Sequence, residues 1–458
     1  MADRPVPPPP VRRVRAVVLS WNGGPLVEEA VAALLATDWD GHLEVVVVDN
    51  ASTDGSREAL RRRFGRRIRL IANDRNAGFG ANNLAMADRT DVDAIALINP
   101  DALVEPGWLA PLVAALDDDA GLGAACPLLV LAPRFATVEV RSQPWLPGAG
   151  DGRSLGVRLE GVEVAGVDRF ADVVVGGGVH DLEVGRAGPF RWTDGAGTLH
   201  VPLPDGAEGP VTIGVRCSSE RPGPVTVVDG DGIERGGGEV APGRATVVTA
   251  SVDPASAVDL AQNAGSFVFA DGAGADRCFG RPVGPATAQP ADVFAWCGGA
   301  VLLRRAHLDD VGLLHEPYFL YYEDTDLSWR GQARGWRFRY VPDAVVRHHH
   351  AVSSGTASAS FWHFNERNRL LLLVRNAPGP LVRRELRRAV TAVGTTAWRD
   401  TVGPLRRGRP PTPTMVVRQL RALAGLARLV PGEVGERRRL RRRQTVPDAA
   451  LLARLRPR

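Results

Sequence analysis

Lysine is absent from this 458-residue chain, so all 56 of its Lys/Arg positions are arginine. That uniformity fits a coding bias and carries no functional message. Cysteine is scarce: Cys126, Cys217, Cys278 and Cys297 are the whole set. No two of them have the spacing of a metal knuckle or a redox pair, which excludes a zinc ribbon or thioredoxin-like motif. They read as buried thiols, with a Cys217–Cys278 pairing left open. No run approaches the ~20 apolar residues that a membrane-spanning helix needs. Met1–Pro10 is proline-rich and lacks the apolar core of a signal peptide, so the expected location is cytoplasmic.

Apolar residues make up 44% of the chain, normal for a globular protein, and 458 residues exceed one ordinary core, so two or three domains are expected. The net charge of +4 conceals a split. Residues 381–458 carry 20 arginines against five acids, or +15, which leaves −11 for the first 380 residues. An acidic body argues against general nucleic-acid binding and leaves only the tail to meet an anionic surface.

Residues 1–13 read as a disordered, polyproline-like leader. Arg15–Ser20, Glu44–Val48, Ile68–Ala72 and Ala94–Ile98 are short apolar runs of the kind buried on both faces of a parallel sheet. Helical spacing over Pro25–Ala36, Thr53–Phe64 and Gly80–Ala87 alternates with them, which predicts a doubly wound α/β domain over residues 14–140. Between 150 and 285 the pattern becomes short strands separated by Gly, Pro and Asp, as in a β-sandwich inserted into the α/β domain. The α/β pattern resumes over 290–376, and residues 377–458 form a helical, basic C-terminal region.

Ligands of an open parallel sheet bind at the carboxyl ends of its strands. Three segments fall there: Ser20-Trp-Asn-Gly-Gly24, Asp49-Asn50 and Asn99-Pro-Asp101. Asp49 and Asp101 directly terminate apolar runs and so are poor helix caps, unlike Ser52 and Asp54. A third acidic cluster, Glu323, Asp324 and Asp326, opens an amphipathic helix. The helix dipole explains acids there as simple first-turn chemistry, and equally as a base held ionised.

Five segments stand in order: Val47-Val-Asp-Asn-Ala-Ser-Thr-Asp-Gly-Ser56, Asn76-Ala-Gly-Phe-Gly-Ala-Asn-Asn83, Leu97-Ile-Asn-Pro-Asp101, Gly298-Gly-Ala-Val-Leu-Leu-Arg304 and Tyr322-Glu-Asp-Thr-Asp-Leu327. Together they resemble the family-2 glycosyltransferases of GT-A fold, closest to the bacterial rhamnosyltransferase-like branch that builds cell-surface polysaccharides. The resemblance covers about 14–135 and 290–376. It implies a nucleotide-diphospho-sugar donor held by Ser20, Asn22, Asp49, Asn76, Gly78, Asn83 and Asn99. It also implies a divalent cation, Mg2+ or Mn2+, on Asp101 and His348, with Asn99 where the family more often has a further acid. His349 and His350 adjoin His348, and a lone histidine is more often a structural residue. Asp324 corresponds to the family's base and Glu323 to its positioning partner, while Trp296, Gly298, Gly299 and Trp329 fall where the acceptor is expected. Both tryptophans also fit plain core packing, and Gly78 an ordinary turn.

The implied reaction is inverting transfer of a sugar, rhamnosyl or galactofuranosyl, to a glycan or lipid-linked acceptor, with no nucleic-acid partner. The basic C-terminal region is then either a peripheral contact with the inner membrane face or a solvated end. The inserted module is either a sugar binder, with Trp192 as a platform, or a structural lid. Two rivals stand beside this reading. A non-catalytic carbohydrate-binding protein would have a decayed transferase body. A nucleotidyltransferase would carry a basic glycine-rich triphosphate loop, which Ser20–Gly24 is not.

Overall fold

The computed structural model describes residues 10–148, 150–185, 188–349, 358–408 and 410–458. Most of the expected leader, and His350, lie outside them. Within residues 10–13, Val11 is buried and the first strand already begins at Arg13. The chain divides into two compact units: Met1–Leu129 with Asn263–Arg277 and Thr287–Arg458, and Val130–Gln262 with Cys278–Ala286. Residues 263–277, expected in the inserted module, thus belong to the first unit.

The first unit opens with β1 (Arg13–Ser20), α1 (Gly24–Leu35), β2 (His42–Asp49), α2 (Ser56–Phe64) and β3 (Arg69–Ala72). α3 (Asn83–Met86), β4 (Ala94–Ile98), β5 (Ala102–Val104), α4 (Leu109–Asp118) and β6 (Leu122–Leu131) follow. After the insertion come β7 (Ala291–Val293), β8 (Ala300–Arg304), α5 (Arg305–Val311), α6 (Glu323–Arg334), β9 (Arg337–His348) and α7 (Ala359–Asn376). The chain ends in α8 (Gly379–Ala397), α9 (Gly403–Arg406), α10 (Thr414–Arg443) and α11 (Asp448–Leu452).

The strand order is β6-β8-β4-β1-β2-β3. β1 pairs in parallel with both β2 and β4, and β2 with β3. β8 enters antiparallel between β4 and β6, and β9 pairs antiparallel with β5 and β7, so the sheet is mixed and mostly parallel in its first half. Ala16, Val18, Val45, Val47, Ala94, Ala96 and Ile98 form one face of the core, covered by Val27, Val31 and Leu34 of α1 and Leu109, Leu112 and Leu116 of α4. The register sets Ser20 against Asp49 and Val18 against Ile98, so the ends of β1, β2 and β4 share one edge. The helix expected over 80–87 shrinks to α3 behind a tight turn at Phe79–Asn82. Gly78 and Gly80 sit where an added side chain would collide with Phe319 and Glu316, so local packing overrides helical spacing there.

The second unit holds two antiparallel sheets. One runs Val174–Val175, Ala196–Pro202, Phe135–Ser142, Gly223–Asp229 and Glu234–Val240. The other runs Glu183–Gly185, Gly188–Trp192, Arg158–Val164, Val211–Ser218 and Thr246–Val252, with Val167–Asp168 beside it. Val138, Val140, Leu199 and Val225 from the first meet Leu159, Val162, Ile213, Val215 and Val248 from the second in one core. Strict in–out alternation along Val211–Ser218 is the period-two pattern of such a sandwich. Trp192 is 7% exposed, its ring meeting Trp145 and Phe190 edge to face, so it offers no open face to a sugar. All four cysteines are free.

Candidate active site

The loops after β1 and β2 are laced together. Asn22 adopts a left-handed backbone (φ 51°), its Oδ1 accepts from Thr53 N at 2.8 Å, and its own N–H donates to Ser52 Oγ at 2.9 Å. Gly24 N donates to Asp54 Oδ2. Asp49 is fully buried at the end of β2. Its Oδ1 takes Ser52 N, while Oδ2 has no hydrogen-bond donor and meets the Arg57 guanidinium only at 3.7 Å. Ser20 Oγ is equally buried and unpartnered. Buried polar atoms without partners are costly, so a pair of them at a strand edge marks a surface shaped for a ligand.

Asn50 organises the neighbouring loop. Its Nδ2 donates to Asn76 Oδ1 at 2.9 Å and Gly78 O at 3.3 Å, and its Oδ1 accepts from Asn73 Nδ2 and Ala77 N. Asn76 is therefore occupied in holding the loop. Gly78 has φ 70°, and a Cβ there would lie 2.0 Å from Phe319 O. The backbone it admits is thus the 315–322 loop and not a ligand, which corrects its expected donor contact. Asn83 is corrected in the same way, because both ends of its amide bind the backbone of Leu314, at 2.9 and 3.1 Å. Its neighbour Asn82 is the one buried with an unpartnered Oδ1.

β4 delivers the next group. Asn99 N donates to Gly299 O at 2.9 Å. His348, at the end of β9, brings Nε2 to 3.1 Å from Asp101 Oδ1 and 3.3 Å from Asn99 Nδ2. One ring nitrogen so faces an amide donor and a carboxylate at once. A cation between Asp101 and His348 would settle that conflict, and a carboxylate with an imidazole is a donor set that holds Mn2+. No group of three or more His, Cys, Asp and Glu side chains converges among the described residues, so bound diphosphate and water would complete the coordination.

Gly298 and Gly299 connect this pair to α6. A Cβ at Gly299 would lie 3.6 Å from His348 Cε1, while Gly298 N donates to Asp324 Oδ2 at 3.0 Å. Asp324 also accepts from Thr325 N and Thr325 Oγ1, at 2.6 and 3.1 Å. Burial pushes its carboxyl up, and those hydrogen bonds oppose the shift. Glu323 is pushed well up by burial and by the charge of Asp324, and its Oε2 has no partner. The pair therefore retains a proton above the usual carboxylate range, and Glu323, which has fewer hydrogen bonds than Asp324, is the better holder of it. Asp326 is different. Arg330 and Arg375 hold its carboxyl below the usual range despite burial, and Tyr318 and Asn376 complete its shell. It anchors the helix.

The turn before α6 is strained. Phe319, Tyr321 and Tyr322 all have positive φ, at 65°, 67° and 75°. Such conformations persist where surroundings impose them, and they cluster at functional sites. Here Asn368 of α7 imposes them, donating from Nδ2 to the carbonyls of Tyr318, Leu320 and Tyr321 at 3.0, 2.8 and 2.7 Å. Trp296 and Trp329 are 0% and 1% exposed, with Trp329 packed edge to face on Phe294 at 5.4 Å. Neither can stack on an acceptor sugar, which corrects that expectation. Asn50, Asn82 and Asn368 went unassigned from sequence. Asn50 and Asn82 had a signal, each standing next to a chosen residue; Asn368 had none.

Residues 16–130 match the family model described as Glycosyl transferase family 2. N-acetylglucosaminyl-diphospho-decaprenol L-rhamnosyltransferase of Mycobacterium tuberculosis (strain CDC 1551 / Oshkosh) is 47% identical over 66 residues, 14% of this chain and 22% of that protein. The protein of the same name from strain ATCC 25618 / H37Rv matches to the same extent. The chain thus aligns with about a fifth of the length of these curated relatives. Among solved structures, mannosyltransferase PcManGT from Pyrobaculum calidifontis in complex with GDP-Man and Mn2+ shares 14% identity at a TM-score of 0.39, over 98% of this chain and 82% of its own. GalNAc-T7 with UDP, GalNAc and Mn2+ shares 13% identity at a TM-score of 0.43, over 80% and 48%. Residues 16–130, with their parallel strands and acids at the strand ends, are thus similar to the glycosyltransferase family 2 domain whose model they match.

Proposed function

We propose that the chain transfers a sugar from a nucleotide-diphospho-sugar to a hydroxyl of a glycan or lipid-linked acceptor, by one direct displacement that inverts the anomeric carbon. The observation that carries this is the Gly298-Gly299 bridge, which sets the Asp101–His348 pair and the Asp324 carboxylate on either side of one dipeptide. Asp49, buried with a free oxygen, receives the donor's base or ribose, and Ser20 Oγ lies beside it. Asp101 and His348 hold the divalent cation, which when bound offsets the negative charge gathering on the departing diphosphate. Asp324 accepts the proton of the acceptor hydroxyl as that oxygen forms its bond to the anomeric carbon. The bond to diphosphate breaks with its electron pair leaving on the diphosphate oxygen. Glu323, the more strongly raised of the two, keeps its proton longer, so that Asp324 is the first of the pair to ionise. General-base removal of the proton is worth about 10²- to 10⁴-fold in rate.

The named relatives support a rhamnosyl donor and a lipid-linked acceptor. No helix among the described residues is long and apolar enough to cross a membrane. The C-terminal helices support peripheral contact with an anionic bilayer instead. Val390, Trp398, Val402, Leu405, Val417 and Leu420 are exposed near the junction of α8, α9 and α10, where Gln419 Nε2 donates to Thr396 Oγ1. Residues 379–421 around them carry ten arginines and two acids. Apolar side chains among cations are the makeup of an interfacial anchor. The reading of a decayed, non-catalytic binder has against it the intact hydrogen bonding of Asp324 and the pairing of Asp101 with His348. Nucleotide release from a panel of activated sugars, with Mn2+ or Mg2+, tests the assignment. Release that needs the cation and accelerates with acceptor supports it, and no release from any donor refutes it.

A further inference from the structure

Asp276 is a half-buried acid that the reaction above leaves unused. It ends a small hairpin, Ser266–Val268 with Gly274–Asp276, in which Ser266 pairs with Asp276. Its Oδ1 is fixed by Asn263 Nδ2 at 2.5 Å and Ser266 Oγ at 3.3 Å. Its Oδ2 accepts nothing from the described residues and is not sealed from solvent. The hairpin is tied to the catalytic segment at two points. Ser266 and Ala295 exchange backbone hydrogen bonds of 2.8 and 3.1 Å, three residues before Gly298, and Gly274 N donates to Tyr322 Oη, next to Glu323. Burial pushes the Asp276 carboxyl up, the charge of Asp324 adds to this, and His348 opposes it. Cys297 lies in the field of both Asp276 and Asp324. The two ties set the hairpin beside the segments that carry Gly298 and Glu323, and so on the same side as Asp324, which Gly298 N holds.

Its side of the cleft is informative. Asp49 ends β2 and Asp101 follows β4, while Ala295 and Gly298 lead into β8 on the far flank of β4. With the nucleoside toward β2 and the cation at β4, the β8 flank is where the acceptor arrives.

We propose that Asp276 positions the acceptor, its free Oδ2 accepting a hydrogen bond from a sugar hydroxyl adjacent to the one Asp324 deprotonates. The acceptor class is thus a sugar with neighbouring free hydroxyls, gripped by two carboxylates, rather than a lone alcohol. This rests on the transferase reading given above. A hydrogen bond to a charged group is worth about 1.5–3 kcal/mol, or roughly a 10- to 150-fold change in KM.

The test is a double-substitution cycle using octyl glycosides of N-acetylglucosamine and rhamnose and their monodeoxy analogues. Asp276→Asn should raise the acceptor KM at least tenfold, with the donor KM shifted less than twofold. One deoxy analogue should be correspondingly poor for the wild type, yet no worse than its parent sugar for Asp276→Asn. Should that variant not fold, Ser266→Ala, which loosens the carboxylate, should raise the acceptor KM several-fold. Transfer by the wild type with additive effects, or an unchanged acceptor KM, overturns the role of Asp276 alone. No transfer by the wild type to any of these acceptors, from any activated sugar, overturns the transferase reading and this assignment together.

Discussion

Replacing Asn368 with alanine probes how the active-site turn is held. Three non-glycine residues, Phe319, Tyr321 and Tyr322, stay left-handed at about 1–2 kcal/mol each, so the turn stores roughly 3–6 kcal/mol. One buried amide, that of Asn368, bonds three of the turn's carbonyls. Arg367 keeps contact with the carbonyls of Pro317 and Tyr318 in the variant, so the loss is partial. Losing the Asn368 bonds to the carbonyls of Leu320 and Tyr321 costs about 2–3 kcal/mol in all. That figure should appear locally, as amide exchange roughly 30- to 150-fold faster across Tyr318–Asp326, and not across β1 or β2. Because Asp324 follows directly on the released turn, turnover should fall by at least tenfold while donor affinity, set at β1 and β2, holds within about twofold. Exchange within a factor of three of wild type, with normal turnover, would show that Asn368 does not hold the turn.

Other perturbations bear on other parts. Asp101→Ala should weaken Mn2+ binding, read by calorimetry with the donor nucleotide present, by about tenfold or more; unchanged affinity would remove Asp101 as a ligand. For pH dependence the sign follows from the raised carboxyls. Asp324 must be ionised to act, so turnover should rise with pH through a limb above the ordinary carboxylate range. The stability that the protonated pair confers is complete at low pH and lost over that same rise. Glu323 is still protonated where Asp324 titrates, so Glu323→Gln should leave the limb in place, and a limb that moves to lower pH would show that Glu323 carries charge beside Asp324. Trp398→Ser with Leu405→Ser should cut sedimentation with anionic vesicles several-fold and leave the protein monodisperse. Unchanged binding would place the contact elsewhere.

The strand ends were readable because their chemistry is local. Four apolar runs, stopped by Ser20, Asp49, Asn73 and Asn99, declare a parallel sheet and its ligand edge without any long-range information. Asp324 was singled out only by the family resemblance, since an acid at the start of an amphipathic helix is equally plain first-turn chemistry. What stayed hidden depends on partners far along the chain. Gly78 was chosen for a close approach, but the partner, Phe319 O, lies some 240 positions away. Choosing between Asn82 and Asn83 needed the turn at Phe79–Asn82, which helical spacing misread. Trp296 and Trp329 looked like sugar platforms because a tryptophan near an active site has two uses, and only burial separates them. Asp276 was masked by composition, since the Gly- and Asp-rich run around it looks like the inserted module while the chain folds it against Ala295.

The central claim is that a carboxylate at the start of α6 takes the acceptor proton beside a cation held at the end of β4. Single-turnover transfer by Asp324→Asn, with donor affinity measured on the same sample, tests it most directly. The account predicts transfer slowed by at least about 10²-fold with donor binding within twofold. Transfer within a few-fold of wild type would contradict it.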